Sequence, residues 1–309
     1  MSAHTVPDDA ALIGRDAELE RVAALADGTG GVLHLVGGPG TGKTALLRSA
    51  ARTAAERGVP VLSTAPAPAE RTLPHAALHS LLRPRLPRLP RRDGPSAAHH
   101  AVLRAAFGSL TLAGTPAPAD LAAAVLALLA ETPGPVLLCV DDLDRLDAAS
   151  RDTVHALARL GGDSSAALIV TGRTRPPAPL APGAGTLVLG PLPGPQARRL
   201  VARAGRATAY AEEELVLGVA RGNPLALTEL SPGDTDLTDA AGIGMLPATP
   251  RLARTYARDL EDLTPAARDT LLVAALSTSP AVWDVLRAAA RLTGGGARAR
   301  AGLDEAVTR

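Results

Sequence analysis

The chain has 309 residues, with 32 Lys+Arg against 31 Asp+Glu and a formal net charge of +1, a balance that argues against a polyanionic partner gripped by the whole surface. A single cysteine, Cys139, excludes an internal disulfide and fits a reducing compartment. Hydrophobic residues make up 46% but aromatics only 1%, so a sizeable core has to be built from Leu, Val and Ala, in a length that suits about two domains.

Residues 1–10 are polar, carry Asp8 and Asp9, and lack the charged start and apolar middle of a secretory signal. The longest apolar run, 121–130, is too short to span a bilayer. A soluble, cytoplasmic protein without a membrane partner is expected. The first apolar run, Val32-Leu33-His34-Leu35-Val36, predicts a buried strand, with His34 as a core-facing or edge histidine. It leads into Gly37-Gly38-Pro39-Gly40-Thr41-Gly42-Lys43-Thr44, which fits G-x-x-x-x-G-K-[ST], the phosphate-binding loop. Lys43 is the only lysine; every other cation among the 32 is an arginine. A compact ammonium on a flexible stem reaches β- and γ-phosphates where a planar guanidinium is too wide. Residues 43–57 then read as a helix with Leu46, Leu47 and Ala50 on one face. Its N-terminus adds partial positive charge beneath the loop's converging N–H groups.

Further strand-like runs fall at 59–63, 136–140, 167–171 and 186–189, with helical patterns between them. That alternation predicts a parallel sheet covered on both faces. A long insertion, 64–135, separates the second and third strands and carries helical patterns near 74–82, 97–107 and 119–131. Arg83, Arg85, Arg88, Arg91 and Arg92 lie within it without an interleaved aromatic, so a solvated loop is preferred to a nucleic-acid surface. His75 and His79 have helical i, i+4 spacing but no third ligand to make a metal site.

The third strand ends in Val140-Asp141-Asp142. Two carboxylates at the carboxyl edge of a sheet complete a phosphate-loop site: Asp141 would contact Mg²⁺, with Thr44 as hydroxyl ligand, and Asp142 would polarise water. Cys139 reads as a small buried hydrophobe. The fourth run ends in Thr171-Gly172-Arg173, and if it neighbours the first strand, Arg173 can report the γ-phosphate. From residue 195 the strand signal disappears. Helical patterns occupy 196–204, 211–220, 224–230, 251–260, 265–276 and 281–292; 231–247 reads as a linker, and 293–309 shows no convincing core pattern.

Several segments together resemble the signal-transducing ATPases with numerous domains, the STAND branch of the AAA+ ATPases. These are Leu12-Ile13-Gly14-Arg15-Asp16-Ala17-Glu18-Leu19, Asp141-Asp142-Leu143 with Asp147 and Ser150, Thr171-Gly172-Arg173, and Gly222-Asn223-Pro224-Leu225-Ala226-Leu227. The stretch Leu73-Pro74-His75-Ala76-Ala77-Leu78-His79-Ser80-Leu81-Leu82-Arg83-Pro84 is similar to the large ATP-binding LuxR-type regulators of actinobacteria. The resemblance implies that Ile13 and Arg15 lie near the adenine and that Pro224 closes over the base. It also implies that nucleotide state sets the angle between two domains. Arg145 departs from the pattern, standing where the family carries an aromatic. The LuxR-type helix-turn-helix pattern is missing, although Leu263-Thr264-Pro265 superficially resembles its start, so no DNA binding is expected of this chain itself. A stand-alone module and a truncated regulator both remain open.

The expected fold is α/β: a P-loop NTPase with a five-stranded parallel sheet flanked by helices, then a small helical domain and a partial winged-helix-like segment. The expected divisions are 1–193 for the nucleotide-binding domain, 194–247 for a helical lid and linker, and 248–309 for the winged-helix-like part. The expected function is an ATP-binding, slowly hydrolysing regulatory switch using ATP/ADP and Mg²⁺, with protein partners or self-association through the ATPase module. A P-loop small-molecule kinase and a non-hydrolysing ATP-binding interaction module are the alternatives.

Overall fold

The computed structural model describes residues 12–26, 30–86, 97–108, 115–131, 134–161, 164, 166–174, 178–204, 210–230, 249–261, 263–277, 279 and 281–308. The polar N-terminus at 1–10, Arg88, Arg91, Arg92 and the linker at 231–247 lie outside them. The chain divides into two compact units, residues 1–207 with 217–227 and residues 208–216 with 228–309.

The first unit is built on five strands: β1 (Gly31–Val36), β2 (Val61–Thr64), β3 (Val136–Val140), β4 (Ala166–Gly172) and β5 (Gly185–Val188). All pair in parallel, in the order β2-β3-β4-β1-β5. The sheet is therefore the expected five-stranded parallel one, and β1 lies between β4 and β5. The second strand begins later than its apolar run, because the Val59 N–H still donates to the Ala54 carbonyl at 2.8 Å and closes the preceding helix.

Period-two alternation sends successive side chains to opposite faces. Leu33, Leu35, Leu137, Cys139, Ala167 and Ile169 face helices α1 (Asp16–Ala26) and α2 (Lys43–Glu56), meeting Val22, Ala26, Leu46, Leu47 and Ala50. Val32, Leu138, Val140, Leu168 and Val170 face the other side. That side is covered by α3 (Ala76–Leu82), α4 (Ala97–Ala106) and α5 (Pro118–Ala130) from the insertion, and by α6 (Ala148–Leu160) after β3. Leu78, Leu81, Leu82, Leu103, Leu121 and Val125 are at most 1% exposed, so these helices are half of the core rather than an appendage. Burying a leucine-sized side chain stabilises by about 1.5–3 kcal/mol, which is how a chain with so few aromatics closes a two-faced sheet.

Helices α7 (Gly194–Arg203), α8 (Tyr210–Ala220) and α9 (Pro224–Glu229) follow the sheet, and α8 passes from the second unit back into the first. In the second unit come α10 (Pro250–Glu261), α11 (Pro265–Leu276), α12 (Val282–Thr293) and α13 (Gly296–Thr308); among its described residues no strand occurs. The tail at 293–309, read above as lacking a core pattern, is largely the helix α13. Its packing surface is made of small residues, which leave no apolar periodicity. Ala299 is fully buried, and a Cβ on Gly302 would lie 2.7 Å from the Ala266 carbonyl oxygen. Glu305 adds a polar clasp, accepting from the Thr264 hydroxyl at 2.6 Å and the Thr264 N–H at 3.1 Å.

Candidate functional site

The phosphate-loop residues Gly37–Thr44 connect β1 to α2 at the carboxyl edge of the sheet. The loop is anchored where β4 ends: the Gly37 N–H donates to the Gly172 carbonyl at 3.2 Å. Gly40 and Gly42 have φ +75° and +100°, left-handed values that a Cβ would strain. A Cβ on Gly38 or Gly42 would meet nothing within 4 Å, so the loop presents open backbone there, as a phosphate cradle requires. Lys43 is 7% exposed. Its ammonium donates to the Gly37 carbonyl at 2.6 Å and the Gly38 carbonyl at 2.9 Å, which holds the charge under the loop. Burial pushes its pKa down, and Arg173 pushes the same way; Asp142, Asp141 and Asp144 oppose.

Asp141 and Asp142 follow β3 on the adjoining edge. Asp141 is held by two hydroxyls: Thr44 Oγ1 donates to Oδ2 at 2.9 Å, and Thr171 Oγ1 donates to Oδ1 at 2.7 Å. The Thr171 oxygen accepts in turn from the Asp142 N–H at 2.8 Å. One short chain of hydrogen bonds thus joins the phosphate loop, β3 and β4. Asp142 has left-handed φ +44°, ψ +58°, a conformation that short polar side chains tolerate best. Burial raises its carboxyl pKa and the Asp141 charge adds to that, while Lys43, Arg173 and Arg145 pull it down. Arg173 therefore stands close enough to act electrostatically on both Lys43 and Asp142. Its N–H donates to Asp144 Oδ2 at 2.7 Å.

Arg15 is 7% exposed and its guanidinium is engaged by the protein. It donates to Glu18 Oε1 at 2.8 Å, to the Thr41 carbonyl at 3.4 Å and to the Gly190 carbonyl. The side chain thus braces the phosphate loop against the segment after β5. Ile13 is half-buried beside Gly14, where a Cβ would strike Gln196 Cγ at 2.6 Å. Pro224 is half-buried at the start of α9. Asn223, in front of it, accepts at Oδ1 from the Leu225 and Ala226 N–H groups at 3.0 and 3.2 Å, an N-cap, and Nδ2 donates to the Pro39 carbonyl at 2.8 Å. The Leu225 N–H donates to the Gly40 carbonyl at 3.2 Å.

Lys43, Thr44, Asp141, Asp142 and Arg173 thus converge at the mouth formed by β1, β3 and β4. Ile13, Arg15 and Pro224 belong to segments on the flank of the loop. Asn223 and Asp144 make site contacts that the sequence reading did not single out. An asparagine directly before a helix-initiating proline is an N-cap signature, so Asn223 had a signal; Asp144 had none. Of the basic run, Arg85 is 6% exposed and Arg83 lies at the surface. His79 packs edge-on against Phe107 with ring centroids 5.0 Å apart. Among the described residues there is no metal-binding group of three or more His, Cys, Asp or Glu. No helix among them is long and apolar enough to cross a membrane.

This fold and loop define a P-loop ATPase. The chain belongs to the AAA ATPase domain family, which it matches over residues 11–170, and it carries that family's ATP-binding ATPase module. The Walker-type ATPase PABY2304 of Pyrococcus abyssi is similar in fold, with 18% identity and a TM-score of 0.59 over 95% of this chain and 88% of that one. The Aeropyrum pernix ORC1 protein, solved in complex with DNA, shares 20% identity and a TM-score of 0.48 over 98% of this chain and 85% of that one. A STAND protein with a tetratricopeptide repeat sensor, PH0952 from Pyrococcus horikoshii, shares 16% identity and a TM-score of 0.43 over 89% of this chain and 36% of that one. No curated protein sequence matches the chain.

Proposed function

We propose that the chain is an ATP-binding, slowly hydrolysing regulatory switch of the STAND kind, the ATPase module of a LuxR-type signal-transduction regulator. The observation that carries the reading is the linkage Thr44–Asp141–Thr171–Asp142, with Lys43 beneath the loop and Arg173 beside it. In this reading Lys43 and the backbone of Gly37–Thr44 hold the phosphates. A hydroxyl and a carboxylate 2.9 Å apart are hard oxygen donors, and they fit Mg²⁺, with Thr44 and Asp141 as its protein ligands. Bound there, Mg²⁺ would neutralise phosphate charge. Asp142 orients and deprotonates the attacking water, and its raised pKa makes it a better base than an ordinary aspartate. Arg173 distinguishes ATP from ADP through the γ-phosphate. Ile13 and Arg15 flank the adenine and Pro224 covers it. Residues 1–193 act as the nucleotide-binding domain, 194–247 as lid and linker, and 248–309 as a winged-helix-like segment whose relation to the rest follows nucleotide state.

The kinase alternative places an acceptor in the insertion at 64–135. The described helices of that insertion, α3, α4 and α5, instead place their apolar faces in the core on one side of the sheet. The test is calorimetric titration of the chain with ATP and with ADP in Mg²⁺, repeated on Lys43→Ala. Binding lost in the variant is expected; unchanged affinity would sink the assignment. Tighter binding of ATP than ADP, with slow phosphate release and no acceptor, is the signature of the switch.

A further inference from the structure

His34 is 3% exposed in the middle of β1, and among the described residues neither ring nitrogen has a hydrogen-bond partner. A buried polar group left unpaired costs free energy that an aliphatic side chain at the same place does not. Its neighbours show what it is set against. The ring shares a sheet face with Val32, opposite the face of Leu33 and Leu35. A Cβ on Gly172 would lie 2.6 Å from His34 Nε2 and 3.2 Å from Asp144 Oδ2. The imidazole edge and the carboxylate therefore both crowd the Cα of Gly172, although no hydrogen bond joins them. That glycine is the joint between two parts of the site. Its carbonyl accepts from the Gly37 N–H at the root of the phosphate loop, and the next N–H, of Arg173, donates to Asp144 Oδ2.

We propose that Asp144 and His34 are positioning residues that set where Arg173 stands relative to the γ-phosphate, and so determine the preference for ATP over ADP. This rests on the γ-phosphate-reading role of Arg173. Asp144 fixes the Arg173 backbone by a charge-assisted hydrogen bond. His34 fills the space beneath Gly172 and offers Asp144 a polar rather than an aliphatic neighbour. Burial lowers the imidazole pKa, Asp144 opposes and His155 on α6 adds to the lowering; the ring is held towards its neutral form. Because the Gly172 carbonyl is tied to Gly37, a displacement of the loop root by bound phosphate is passed to Arg173 through this joint.

The test is the ratio of ATP to ADP dissociation constants in Mg²⁺, measured calorimetrically for Asp144→Ala, Arg173→Ala, the double variant, His34→Leu and His34→Gln, with thermal melts to check folding. Asp144→Ala is expected to reduce the preference for ATP roughly tenfold, the worth of one charge-assisted hydrogen bond, with ADP affinity within about twofold of wild type. The double variant is expected to be no worse in this ratio than Arg173→Ala alone, because Asp144 acts on the ratio only through where the Arg173 side chain stands. His34→Leu is expected to lose preference and His34→Gln, which keeps a polar atom near the Nε2 position, to retain it. Should Asp144→Ala fail to fold, Asp144→Asn, which keeps an acceptor, is expected to show the same loss in weaker form. A wild-type ratio in the Asp144 variants beside a lost ratio in Arg173→Ala overturns this inference and leaves the sensor reading standing. Full preference in His34→Leu removes His34 from it. An unchanged ratio in Arg173→Ala overturns the sensor reading, and this inference with it.

Discussion

Asn223 and Pro39 are 184 residues apart in the chain, yet the Asn223 amide donates to the Pro39 carbonyl at 2.8 Å while its oxygen caps α9. One side chain therefore fixes both the start of a helix and the tip of the phosphate loop. A Cβ on Gly40 would lie 2.6 Å from that same Asn223 oxygen, so the close approach also depends on glycine in the loop. Asn223→Ala is expected to cost about 1–2 kcal/mol of stability through the lost cap. It should also weaken both ATP and ADP binding by roughly tenfold, because the unbraced loop must be ordered on binding. Calorimetry and a denaturant melt check it; wild-type affinity in the variant would show that the brace is idle.

Asp142→Asn should fold, since asparagine tolerates the left-handed backbone found there. It is expected to keep ATP binding and to lose at least roughly 100-fold in hydrolysis, the usual worth of a general base. In the ligand-free chain burial and the Asp141 charge raise the Asp142 pKa, and the rate is expected to fall on acidification as this carboxylate takes up a proton. Phosphate release followed as a function of pH measures that limb. Hydrolysis by Asp142→Asn at the wild-type rate would remove Asp142 from the role.

Asp147 ties the insertion to the segment after the paired acids. Its carboxylate accepts from the His75 N–H at 2.8 Å, the Ala77 N–H at 3.1 Å and the Ser150 N–H at 2.8 Å. Burial alone would raise its pKa, but the hydrogen bonds from Ser150, Ala77 and His75 outweigh it and the pKa is lowered below 3.8. The sign follows: this stabilisation is fully present above 3.8 and is lost as pH falls through the lower folded value. Asp147→Ala is expected to destabilise by about 2–4 kcal/mol, because three backbone or capping donors lose a charged acceptor. Urea melts across pH 2–7 should show a smaller loss of stability on acidification in the variant than in the wild type; parallel curves would argue against it.

Cys139 lies in β3 at 1% exposure, and burial, helped by the Asp141 charge, pushes its thiol up to about 12. The folded protein is expected to leave a thiol reagent unreacted at pH 8, and one thiol per chain should appear on unfolding. Rapid labelling of the native protein would mean that β3 opens.

Much of this site was legible from residues 32–44 and 136–142, because a buried strand, a glycine-spaced loop and a helix start are local features with local signals. The three helices of the insertion were legible too, from their apolar runs, though their place against the sheet was not. Where the reading slipped, the cause was physical. Val59 carries strand-like chemistry but its N–H belongs to the end of α2. Residues 296–308 look featureless because Ala299 and Gly302 pack by being small. Arg15 gave no local signal of its contacts: it donates to the Glu18 carboxylate and to the carbonyls of Thr41 and Gly190, and the last two are brought to it only by the fold.

By itself the sequence determined the elements and the chemistry available at their ends: hydrophobic period, glycine spacing, one lysine, two adjacent carboxylates. Tertiary structure alone decided which ends meet. The order β2-β3-β4-β1-β5 brings Thr171 to Asp141, Gly172 to Gly37 and Asp144 to Arg173, and the return of residues 222–225 brings Asn223 to Pro39. Those pairings join residues that share no local period. They follow from burying both faces of one sheet at once, a condition on the whole chain rather than on any stretch of it.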